Sequence, residues 1–162
     1  MSIVESRQDP EALTLTLVAE LAAPPARVWQ IWSDPRQLEQ WWGPPTWPAT
    51  FERHDVAVGG ASRYYMTGPE GQKARGWWRF LALDEPRTLE FEDGFSDESG
   101  SPDPQMPTIH VLVELEEAAA STRMTVTSSF ATVEQMQQLV QMGMVEGMTE
   151  AMGQIDRLLE TA

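Results

Sequence analysis

The stretch TVEQMQQLVQMGMVEGMTEAMGQIDRLLE, residues 132–160, decides the fold. Met136, Val140, Gly143, Met144, Gly147, Met148, Ala151, Met152, Ile155, Leu158 and Leu159 recur every three or four positions, which makes one apolar stripe at helical spacing. Glu134, Gln137, Gln138, Gln141, Glu146, Glu150, Gln154, Asp156 and Arg157 occupy the other faces. Thr132 is a suitable N-cap and no proline interrupts the run, so the spacing predicts one helix over 132–160. At ~1.5 Å per residue it would be a rod roughly 43 Å long. A rod apolar on one side only must lie against something equally long, and the chain before it reads mainly as strands.

The stripe has an unusual make-up. Glycine inside a helix costs about 1 kcal/mol relative to alanine, so Gly143 and Gly147, one turn apart, signal a need for room. Either a strand backbone approaches closely there, or the surface is left open as a cavity wall. Methionine suits both, because it adapts to irregular gaps. A plain core helix is the simpler alternative.

Upstream, Leu13, Leu15, Leu17, Ala19 and Leu21 alternate with polar or smaller neighbours, which predicts a first strand after a loose lead-in over residues 1–12. Two short helices follow. Pro25 opens one, with Val28, Trp29 and Trp32 on its apolar side; Asp34 caps a second, with Pro35 at its first position and Leu38, Trp41 and Trp42 apolar. Trp29 to Trp47 holds five of the seven tryptophans, either as fill at one end of the domain or as flat walls around a pocket.

Strands are then predicted over 48–58, 61–67, 73–83, from about Leu89, over 108–117 and over 122–130. Tyr64 and Met66 share one face of theirs. Residues 73–83 are apolar on both faces, so alternation leaves their inward side open. Leu89, Phe91 and Phe95 form the inward set of the next strand, with Asp93 at the same parity. Residues 93–107, DGFSDESGSPDPQMP, read as a mobile surface loop. Consecutive strands with short turns imply an antiparallel sheet. The fold class is α+β: about six to seven strands curved around the last helix, in a single domain over 13–160.

Composition narrows function. The chain has 162 residues, a formal net charge of −14 and no cysteine. Such acidity argues against nucleic acid and anionic lipid surfaces. There is no disulfide framework, no apolar run of membrane-spanning length and no signal-peptide core, so a cytoplasmic location is expected, with no membrane partner. His54 and His110 are the only histidines, which gives no metal cluster. No nucleophile or phosphate-loop motif is present, and neither a catalytic residue nor a cofactor is expected. The acid to watch is Asp93, with Arg63 and Arg79, though each reads first as a solvated surface charge.

Several motifs resemble the activator of heat-shock protein 90 ATPase homologue-like family, within the START-like, SRPBCC or helix-grip (Bet v 1-like) superfamily. They are Pro24-Pro25-Ala26-Arg27-Val28-Trp29, Trp32-Ser33-Asp34-Pro35, Leu38, Trp41-Trp42-Gly43-Pro44, Gly59-Gly60 with Arg63-Tyr64-Tyr65-Met66, Gly68-Pro69-Glu70-Gly71, Leu83-Asp84-Glu85-Pro86-Arg87-Thr88-Leu89, and Gly143-Met144-Val145-Glu146-Gly147-Met148. The resemblance spans about residues 13–160. It departs at Ser62 and Met148, where the family often has tryptophan, and both changes remove bulk that would otherwise limit a cavity. The resemblance implies a curved sheet gripping the last helix, with a cavity between, and relatives that carry hydrophobic small molecules, activate a chaperone or act as cyclases and dehydratases.

The leading expectation is therefore a small hydrophobic or aromatic ligand held by Trp42, Tyr64, Met66, Trp77, Phe91, Val111, Val113, Met144 and Met148. A chaperone partner meeting an exposed patch around the Trp41-Trp42-Gly43-Pro44 loop is the alternative, and a cyclase or dehydratase with a buried acid, base or tyrosine hydroxyl is the third. Monomer and homodimer are both compatible with the sequence.

Overall fold

The computed structural model describes residues 3–160. Its elements in order are β1 (Ile3–Asp9), β2 (Thr14–Leu21), α1 (Pro25–Ser33), α2 (Pro35–Leu38), β3 (Ala49–His54), β4 (Ala61–Thr67), β5 (Lys73–Asp84), β6 (Thr88–Phe95), β7 (Thr108–Ala118), β8 (Ser121–Ser129), α3 (Val133–Gln141), α4 (Met144–Met152) and α5 (Ile155–Glu160). Among the described residues the strands form one 8-stranded sheet in the order β1-β2-β8-β7-β6-β5-β4-β3. Every neighbouring pair is antiparallel. The register shifts between Phe51 and Arg53 and between Phe80 and Ala82, and such irregularities bend strands, here into a curved sheet.

Three expectations need correction. The sheet has eight strands rather than six or seven, because residues 3–9 pair with β2 instead of forming a loose lead-in. This is an edge strand whose described side chains are exposed, so it carries no apolar signal; Met1 and Ser2 lie outside the described residues. The last helix is not one rod. It breaks at Gly143, which takes φ +94, and again around Gly153–Gln154. A left-handed residue ends the α3 hydrogen-bond ladder, and only glycine adopts that conformation cheaply. The loop after β6 also starts later than expected. Residues 93–95 belong to β6, Ser96 bridges Pro102, and the Asp97 carboxylate accepts from the Ser99 and Ser101 N–H groups.

The capping predictions hold. Asp34 accepts from the Arg36 N–H at 2.9 Å, and Thr132 accepts from the Gln135 N–H at 3.1 Å. The inward face of β5 is settled as Gly76, Trp78 and Phe80, all buried, with Trp77 and Arg79 outward. One half of the interior is filled by aromatics: Trp78 stacks on Phe91 at 4.1 Å, and Trp32 meets Trp41 edge-on at 4.7 Å. Polar ties lock the ends. Arg27 donates to the Gln37 side chain and to the Leu158 carbonyl, joining α1, α2 and α5. Gln154 donates to the Gly43 carbonyl at 2.8 Å, which holds the Trp41–Pro44 loop against the carboxy-terminal helices.

Candidate functional site

Beneath α3 and α4 the interior is hollow. A cavity of about 490 Å³ lies between these helices, the inner face of β4–β8 and the Trp41–Pro44 loop. That is within the ~300–1,000 Å³ usual for small-molecule sites. The helices contribute Leu139, Gly143, Met144, Gly147, Met148 and Met152, and the loop contributes Trp41, Trp42, Pro44 and, further on, Trp47. The sheet contributes Tyr64 and Met66 from β4, Asp93 and Phe95 from β6, Ile109 and Val111 from β7, and Ser128 from β8.

The two helix glycines now have a physical reason. A Cβ added at Gly143 or Gly147 would meet nothing within 4 Å. No strand backbone approaches there, and the glycines are cavity wall rather than contact points. Of the nine residues expected to line the site, the structure brings six together: Trp42, Tyr64, Met66, Val111, Met144 and Met148. Three lie elsewhere. Phe91 is fully buried against Trp78, and Val113 is packed in the core. Trp77 points to the outer face, covers Gly94 and donates its indole N–H to the Phe95 carbonyl at 3.1 Å. Of the two departures from the family pattern, only Met148 borders the cavity. Ser62 is buried and bonded to His54.

The cavity wall is apolar except for Ser128 and one cluster, and this cluster overturns the reading of Asp93 as a surface charge. Asp93 faces inward on β6, enclosed by protein yet reachable from the cavity. Tyr64 donates its hydroxyl to Asp93 Oδ1 at 2.9 Å. The geometry depends on one small residue. Tyr64 pairs with Gly76 of β5, and β5 separates β4 from β6. The phenol crosses β5 over Gly76, where a Cβ would sit 2.5 Å from the ring and hydroxyl. Glycine inside a strand is the signal for such a close passage.

Burial disfavours the charged carboxylate and pushes the Asp93 pKa up to about 7, although the Tyr64 hydroxyl and the nearby Trp78 indole N–H pull the other way. Tyr64 is driven well above the ordinary tyrosine range by burial and by the Asp93 charge. The Trp42 and Trp78 indole N–H groups are buried close to this pair, but neither makes a hydrogen bond of acceptable geometry. Arg63 and Arg79 are not part of the cluster. Arg63 is exposed and lies beside Gly100, and Arg79 pairs with Glu92 at 3.8 Å in solvent.

The histidines are accounted for structurally. His54 Nε2 faces the Trp32 carbonyl at 2.8 Å, so it carries the proton and donates; Nδ1 then accepts from the Ser62 hydroxyl at 2.7 Å. Burial lowers its pKa, which keeps this neutral form. His110 pairs with Glu90 on the half-exposed outer face. Among the described residues no group of three or more potential metal ligands occurs, and no helix is long and apolar enough to cross a membrane.

A curved antiparallel sheet covered by carboxy-terminal helices over a half-open cavity defines the helix-grip class of domain. The family model described as Activator of Hsp90 ATPase homolog 1-like protein matches residues 22–160, and the chain belongs to that family. A protein from Arthrobacter aurescens, solved by NMR, is 54% identical, with 99% of this chain and 94% of that chain covered and a TM-score of 0.95. The crystal structure of Ms6760 from Mycobacterium smegmatis is 44% identical over 99% of this chain and 98% of that one, with a TM-score of 0.90. The crystal structure of the AHSA1 protein from Silicibacter pomeroyi is 22% identical over 91% and 97% of the two chains, at a TM-score of 0.71, and shares the fold. No curated protein matches the chain.

Proposed function

We propose that the protein binds a small, largely apolar molecule in the cavity beneath α3 and α4. The observation that carries this reading is a hollow of about 490 Å³ walled by methionine, tryptophan and two glycines that face open space. A merely structural interior would be filled to native packing density, whereas this one keeps a half-open, apolar-walled space of small-molecule size. Methionine walls also adapt their shape to different occupants.

The family's name also points toward a chaperone partner. That reading expects an exposed aromatic patch at the Trp41–Pro44 loop. Trp41 is 1% exposed and Trp42 9%, and both turn inward. A catalytic reading requires a buried acid or tyrosine hydroxyl at the cavity, and Asp93 with Tyr64 meets that condition. Binding is the simpler role for a chamber whose polar lining is the Asp93–Tyr64 pair and Ser128.

Native mass spectrometry against a panel of apolar ring compounds tests the proposal, with Met148→Trp as the filled-cavity control. The expected result is a bound adduct with the wild type and none with the variant. Adducts absent from both proteins would end the binding reading. Acceleration of a heat-shock protein 90 homologue's ATPase would shift the assignment to the chaperone role, and conversion of a bound compound to product would shift it to catalysis.

A further inference from the structure

The polar cluster tells which compounds should enter. Asp93 Oδ1 is committed to the Tyr64 hydroxyl, which leaves Oδ2 as the acceptor that a molecule in the cavity can reach. Beside it on the wall, Trp42 is nine-tenths buried and its indole N–H has no partner. The cavity wall therefore offers one acceptor open to a ligand and one buried donor whose unmade hydrogen bond is costly; the Trp42 ring meets the Tyr64 ring edge-on at 6.4 Å, and that tyrosine's hydroxyl reaches Asp93. No lysine, arginine or histidine is among the described residues that line the cavity.

We propose, building on the binding role above, that the preferred ligand is an apolar ring compound bearing a hydroxyl group. The hydroxyl donates to Asp93 Oδ2 and accepts from the Trp42 indole N–H, and carboxylates are rejected. A hydroxyl both donates and accepts, so it satisfies the two orphan groups at once. An ammonium only donates, and would leave the Trp42 N–H facing another donor. A carboxylate would meet the Asp93 carboxyl at close range with no cation to offset the repulsion, inside a protein of formal net charge −14.

The test is a matched series on one ring frame: naphthalene, a naphthol, a naphthoate and a protonated naphthylmethylamine, titrated by tryptophan fluorescence at pH 7.5. The naphthol should bind about tenfold more tightly than naphthalene, the gain expected for a hydrogen bond to a charged group. The naphthoate should bind more weakly than naphthalene. Asp93→Asn should recover naphthoate binding by about tenfold while leaving naphthalene nearly unchanged, and Trp42→Phe should erode the advantage of the naphthol. If naphthalene itself fails to bind, the cavity-binding role fails. If naphthalene binds but the naphthol is no tighter, or the naphthoate equals it, or the amine surpasses the naphthol, the hydroxyl assignment is overturned and the binding role stands.

Discussion

The two halves of this interior are built on opposite principles. Under α1 and α5 the sheet is packed solid, with Trp32 in ring contact with Trp41, Trp78 and Phe91, Trp78 stacked on Phe91, and Ile155 and Leu158 closing the end. Under α3 and α4 the same sheet faces glycine, methionine and empty space. The solid half anchors the fold. The hollow half spends part of that stability on a chamber and one half-buried carboxyl. A helix break at Gly143 sits over the chamber, whereas α1 crosses the solid half unbroken.

This contrast predicts where the protein is fragile. The largest effect belongs to the solid half: Trp78→Ala should cost about 3–5 kcal/mol in urea unfolding, the usual cost of truncating a fully buried tryptophan. A loss under about 1 kcal/mol would mean that the aromatic cluster is not the anchor.

The next effect belongs to Asp93. The unfolded chain releases its proton near 3.8, and the folded protein holds it to about 7. A folded-state pKa above the unfolded one gives stability that is complete below 3.8 and lost as pH rises through 7. Unfolding free energy should therefore fall by roughly 2–4 kcal/mol across that window, and Asp93→Asn should flatten the slope. An unchanged slope in the variant would mean that other groups set the pH dependence.

Gly76→Ala comes next. Its Cβ would force the Tyr64 ring aside and break the bond to Asp93, at a cost of about 1–3 kcal/mol. Tyr64→Phe should then lose most of its separate effect in the double variant. Additive losses would mean that Gly76 does not act through Tyr64. The smallest effect distinguishes the two helix glycines. Gly147→Ala enters open space within a helix and should stabilise by about 0.5–1 kcal/mol. Gly143→Ala should destabilise despite equal room, since φ is +94 there. Thermal melts of both variants check the signs.

How much of this was legible in the sequence depends on what each signal reports. Side-chain alternation placed Tyr64 and Met66 together, and both line the cavity. Asp34 and Thr132 announced their helix starts, because capping is local chemistry. The Gly143–Met148 stripe marked the chamber wall, yet a positive φ leaves no trace in spacing, so the break at Gly143 was not visible. The outer placement of Trp77 was hidden because both faces of β5 are apolar. Asp93 reads as solvated on charge alone, although its parity with Phe91 and Phe95 points inward. The missing clue was Gly76, whose bare backbone only makes sense once Tyr64 is seen crossing it. The strand at 3–9 escaped because an exposed edge needs no apolar pattern.

The methionine methyl groups report on both halves at once. Met124 and Met136 are buried in packed regions, while Met66, Met144 and Met148 line the hollow. A methyl NMR titration with naphthalene should shift Met66, Met144 and Met148 together, leave Met124 and Met136 nearly still, and show no such response in Met148→Trp. Shifts centred on Met124 or Met136, or none at saturating naphthalene, would contradict a ligand chamber beneath α3 and α4.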